Sequence, residues 1–271
     1  MDMKDSLTAA FAIATLAAGN AYASSTSSIL VDISFTLADV LIDGGSADPF
    51  LDYEADGSVD GGSYGNNSFA LGGAGTADGN GTVSLNGTVI DGIVDPGPLA
   101  VGDTISMSLF AETVANTGFV NRDQFGEATF GFYNYSDDGL GNYQTLSFIF
   151  DYEVSYSMSL SNDVSGDQAI GELNTLVELD DYDFGTSSID LFPSGTPDAI
   201  EALYFGAGAV TPSGMKSGSF TLDVAGGYGY FVFTNGLSTP TYIQPSVVPV
   251  PAAVWLFGSG LLGLVGFARR R

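Results

Sequence analysis

Four carboxylates crowd one short stretch. Asp52, Glu54, Asp56 and Asp60 take places 1, 3, 5 and 9 of a run whose sixth residue is Gly57. Hard oxygen donors at this spacing converge when the backbone curls, and glycine allows the sharp turn, so the run resembles a Ca2+ loop. The twelfth place holds Ser63 rather than a bidentate glutamate, and no helix is expected on either flank. The run reads first as a plain solvated acidic loop, with a structural Ca2+ loop unlike an EF-hand as the functional alternative. Asp180-Asp181-Tyr182-Asp183 and Asp137-Asp138-Gly139 are two further acidic turns where a cation would relieve repulsion between neighbours. Each also reads as an ordinary turn. Paired carboxylates can run glycoside hydrolysis without histidine if they lie about 5–10 Å apart. The 30 acids between residues 24 and 245 select no particular pair.

Other chemistry is excluded outright. The 271 residues contain no Cys and no His, so there is no disulfide framework, thiolate nucleophile, histidine-ligated zinc or Ser-His-Asp triad. Between residues 24 and 245 only Arg122 and Lys216 oppose the 30 acids, leaving 28 net negative charges. Such a surface repels phosphate, so nucleic acid is not a partner. It keeps a protein soluble and attracts divalent cations and basic partners. No catalytic residue emerges, and the chain is not expected to be an enzyme.

The elements that would position these residues are strands. Hydrophobic residues make up 45% of the chain, enough for a packed core, and the 37 glycines favour many turns. Period-two alternation predicts strands over 29–35, 82–90, 104–114, 128–135, 146–160, 173–179, 188–192, 217–224 and 228–234. The clearest puts Leu146, Phe148, Phe150, Tyr152, Val154, Tyr156, Met158 and Leu160 on one face. Turn pairs separate the runs, among them Asn86-Gly87, Asp138-Gly139 and Gly226-Gly227. One helical turn or two is expected over 198–204, with Asp198 near its start. The segment 43–80, dense in Gly, Asp, Ser and Asn, is expected to be a long loop with a short pairing near 68–71. The pattern predicts an all-β domain over 24–245, an antiparallel β-sandwich or jelly roll.

Each end of the chain carries a different signal. Residues 1–23 read as a secretory signal peptide with a helical apolar segment over 7–18. Lys4 is its basic residue, diluted by Asp2 and Asp5, and Ala21-Tyr22-Ala23 is a small-x-small cleavage site. At the other end, Val248, Pro249, Val250, Pro251 and Ala252 form a stiff extended run. An uncharged helical segment, 252–268, follows; at about 1.5 Å per residue it is a marginal membrane span. Arg269, Arg270 and Arg271 close the chain, and by the positive-inside rule they stay cytoplasmic.

The order Val-Pro-x-Pro-Ala, short Trp-containing apolar helix with Gly-Ser-Gly-Leu, then arginine cluster resembles the PEP-CTERM sorting signal in its VPxPA-type variant. The resemblance covers residues 248–271, with Val250 where the namesake motif carries Glu. It implies a protein handled by signal peptidase and the export machinery and held briefly in the membrane by its tail. A membrane-embedded exosortase would then cleave near the proline motif, in a bacterium that makes exopolysaccharide. The expected function is a cell-surface or matrix protein of structural or adhesive type, with exopolysaccharide as a candidate partner. A Ca2+-assisted carbohydrate-binding module is one alternative, and a secreted polysaccharide-active hydrolase another.

Overall fold

The computed structural model describes residues 23–42, 53–92, 99–134, 144–181, 185–225 and 227–244; at 53–61 and 181 it describes the backbone alone. Every regular element there is a strand, and every pairing between strands is antiparallel. The strands are β1 (Ser25–Ile42), β2 (Tyr53–Leu85), β3 (Thr88–Ile90), β4 (Thr104–Asn134), β5 (Leu146–Asn162) and β6 (Gln168–Asp181). After them come β7 (Gly185–Asp190), β8 (Ile200–Tyr204), β9 (Gly208–Val210), β10 (Ser213–Val224), β11 (Gly227–Ser238) and β12 (Thr241–Ile243).

They form one sheet whose main path runs β10-β5-β1-β4-β11-β6-β12. The long strand β4 explains how one sheet makes two layers. Its first part, 104–115, pairs with β1; 118–120 pairs with β12; and 123–134 pairs with β11. β2 follows β4 along nearly its whole length. The β2–β4 ribbon turns a corner where its register shifts between Ala70 and Gly75, opposite residues 115–119. Leu71, Gly72 and Gly118 have positive φ there. A Cβ on Gly75 would lie 1.8 Å from the Val114 carbonyl oxygen, so only glycine lets the two backbones meet at the corner.

Folded at this corner, β10, β5, β1 and the first part of β4 face the second part of β4, β11 and β6, a sandwich-like arrangement. Phenylalanines fill the space between. Phe35 of β1 lies 5.0 Å from Phe233 of β11, centroid to centroid. Phe150 of β5 lies 5.3 Å from Phe233, and Phe148 lies 4.9 Å from Phe231. All five rings are at most 1% exposed. Near the start of β1 the interior is polar instead. Ser25 Oγ donates to Gln168 O at 2.8 Å and to Asn162 Oδ1, and Ser27 Oγ donates to Ile170 O. Thr113 Oγ1 donates to Thr239 O at 2.6 Å. Each of these hydroxyls is fully buried.

Three expectations need correction. Residues 53–80 are strand rather than loop, because β4 offers them backbone partners along nearly their whole length, interrupted at a bulge and at the corner, and glycine carries no side chain to obstruct the pairing. The stretch expected as a helical turn over 198–204 contains β8, paired with β6 from Ile200 to Leu173 onward. Tertiary pairing overrides a seven-residue preference that could not nucleate a helix alone. The run 82–90 is not one strand but a hairpin, with Asn86 (φ 50°) and Gly87 (φ 79°) as its two-residue turn.

Candidate functional site

The acidic run lies on β2. Asp52 falls outside the described residues. Glu54, Asp56 and Asp60 belong to the strand, and the register with β4 slips between Ala55 and Val59, so residues 56–58 bulge. Glu54 pairs with Tyr133 and Asp60 with Thr129 of β4, while Asp56 lies in the bulge. Asp180 and Asp181 end β6, inside its ladder with β7. Asp137, Asp138, Tyr182 and Asp183 lie outside the described residues. So do Ala21, the proline motif from Val248 to Ala252 and the three terminal arginines. Among the described residues no group of three or more His, Cys, Asp or Glu side chains is placed to hold a metal.

Ala23 is described, and the residue after it is well held. Ser24 donates both its N–H (2.9 Å) and its Oγ–H (2.7 Å) to Asp163 Oδ2. The Asp163 N–H returns a bond to Ser24 O at 3.0 Å. The side-chain and backbone donations from Ser24 hold the Asp163 carboxyl below the ordinary carboxylate range. Four residues along the same β5–β6 turn, Asp167 Oδ1 accepts the Gln244 N–H at 3.0 Å, just after β12. Between them Asn162 Nδ2 donates to the carbonyls of Asp167, Tyr204 and Gly206.

A different site emerges on the outer face of the β10-β5-β1-β4-β2 half. Strand register aligns two rows there. One row runs Met215, Ser155, Asp32, Ser108, Thr82; the next runs Ser217, Glu153, Ser34, Ser106, Ser84. Between flanking larger residues these short side chains leave a shallow depression of about 280 Å³. Leu30, 44% exposed, and Phe110 stand in the next row on one side. On the other side Thr36 and Thr104 hydrogen-bond to each other at 2.9 Å. Asp32 and Glu153 are diagonal neighbours on adjacent strands, with backbones about 7–8 Å apart. Met215, 80% exposed, forms an apolar rim.

Among the described residues no base reaches this depression. Lys216 points to the other side of β10, where its Nζ donates to the carbonyls of Asp198 and Ala199. Arg122 sits in the ribbon, bonded to Asn67 Oδ1 at 2.9 Å, Gly79 O at 3.3 Å and Gln124 Oε1 at 2.5 Å. Among the described residues, the side chains of Asp32, Ser34, Ser108, Glu153 and Ser155 hydrogen-bond to no other protein group. The depression is therefore a floor of hydroxyls with two carboxylates, in which Ser84 Oγ alone makes a long bond, to Ser106 O at 3.5 Å.

The sequence reading missed this site. The alternation singles out the apolar positions of β5 and says nothing of the serines between them. Their alignment with Asp32 and Ser34 depends on register, which no single strand states. No protein-family model matches the chain, and no curated protein matches it.

Proposed function

We infer that this is an exported, non-enzymatic protein of the cell surface or exopolysaccharide matrix, sorted by an exosortase. The single observation that carries this reading is the ordered tail: the Val248-Pro249-Val250-Pro251-Ala252 run, the uncharged segment after it, then Arg269, Arg270 and Arg271. The leader ending at Ala23 supports it from the other end of the chain. In this reading the body is a β-sandwich of jelly-roll kind, its anionic surface keeps it soluble outside the cell, and its tail spans the membrane only until cleavage. The test is mass spectrometry of the protein from a host with and without an active exosortase. The expected mature chain begins at Ser24 and ends near residues 248–252, and the tail persists when the exosortase is absent. Full-length protein in the cytosol of a competent host would overturn the reading.

The depression favours a second reading, a carbohydrate-binding module assisted by Ca2+. Hydroxyls and carboxylates on a rigid sheet match the hydroxyls of a sugar, and Ca2+ would bridge an acidic one to Asp32 and Glu153. Calorimetry with Ca2+ and with acidic and neutral glycans tests it. Neither heat nor a thermal shift with any of them would remove this reading.

A further inference from the structure

We propose that the depression on the outer face binds an amine-bearing sugar chain directly, without a metal. The proposal rests on the carbohydrate-binding reading above and assigns the ligand's charge.

The argument begins with what the floor offers. Ser34, Ser84, Ser106, Ser108 and Ser155 present hydroxyls that can donate or accept, so they suit a ligand that is itself a polyol. Asp32 and Glu153 only accept, and no protein donor meets them among the described residues. Both carboxylates are exposed to water, and a ligand ammonium replaces that water with charge-assisted bonds, which are roughly twice as strong as neutral ones. Neutral sugar hydroxyls satisfy the same oxygens less well. A carboxylated or sulfated sugar places like charges against them, inside the field of 28 net negative charges. The ordering without metal is therefore amine-bearing, then neutral, then acidic.

Shape agrees with a chain rather than a compact ligand. The two rows cross five strands, each about 4.8 Å from the next, so the floor is elongated across the sheet. It is open along its length, with exposed Met215 at one end offering an apolar contact for a sugar face. Small serines on paired strands fix the floor before any ligand arrives, so little ordering entropy is lost on binding.

The experiment is calorimetric titration of the mature body with a glucosamine oligomer, its N-acetylated counterpart and an acidic uronic-acid oligomer, each with Ca2+ and with chelator. The glucosamine oligomer should bind in chelator, and the other two should bind more weakly. Any polyanion attracts a polycation, so charge-matched variants separate site from field. Asp32→Asn with Glu153→Gln should weaken binding about tenfold or more. Glu127→Gln with Glu178→Gln, on the outer face of the other half, should change it less than about threefold. Equal losses in the two double variants would reduce the effect to bulk charge and overturn the proposal. Binding of the acidic oligomer alone, and only with Ca2+, would overturn it while leaving the metal-assisted reading intact. No binding of any sugar would overturn both.

Discussion

The interior of this protein is held in two chemically different ways. Near the ends of β5 and β11 that carry Phe148, Phe150, Phe231 and Phe233, the two layers meet through aromatic rings. Near the start of β1 they meet through Ser25, Ser27 and Thr113, whose hydroxyls donate to the carbonyls of Gln168, Ile170 and Thr239. Ring packing is strong but nearly blind to direction, since area removed from water has no orientation. Hydroxyl-to-carbonyl bonds are individually weak, about 0.5–1.5 kcal/mol net, yet each demands one geometry. The aromatic end contributes most of the stability. The hydroxyl end specifies register, because a one-residue slip of β1 would carry Ser25 and Ser27 to the outer face.

The contrast can be broken at either end. Phe233→Ala removes a ring that touches Phe35, Phe130 and Phe150, and should cost about 3–5 kcal/mol in a urea titration. A cost near 1 kcal/mol would mean the aromatic end does not dominate. Asn162→Ala comes next, because it strips partners from three carbonyls and from Ser25 at once. The expected loss is about 1–3 kcal/mol, with hydrogen exchange quickening around 162–168 and 204–206 and unchanged near Phe231. Uniform quickening would show the two ends to be one cooperative unit. Ser27→Ala should cost about 1 kcal/mol and leave the ring end untouched.

Asp163 gives the smallest effect, because it is exposed. Its folded carboxyl lies below the ordinary value of 3.8, so the unfolded chain binds its proton first as pH falls. Its contribution is full above the unfolded value and disappears as pH drops through the folded one. Asp163→Asn should therefore unfold slightly earlier than the parent at pH 7, and the difference should vanish at strongly acidic pH. A difference that persists in acid would assign the effect to something other than this carboxylate.

Legibility in the sequence followed local pattern. β5 alternates over its whole length, so its inward face could be read directly. β2 could not, because eight of its residues from 61 to 85 are glycine and most of the rest are exposed on both faces. Its strand conformation comes from β4, paired with it across the corner, and a sequence window does not contain that partner. The acidic run stands out by its residue types, but the backbone under Glu54 and Asp60 is set by the same pairing, and Asp56 falls in its bulge. Ile200–Tyr204 is too short to announce its state and takes it from β6. The depression was hidden for a related reason. Asp32, Ser108 and Glu153 are ordinary surface residues until three strands set them side by side.

One further consequence follows from the β5–β6 turn. Ser24 is fastened at Asp163 and Gln244 at Asp167, so the chain comes into the body and leaves it at neighbouring points. A pull applied between these two points would run through a handful of hydrogen bonds in that turn. The phenylalanine-filled end, at the far side of the body, would carry almost no tension.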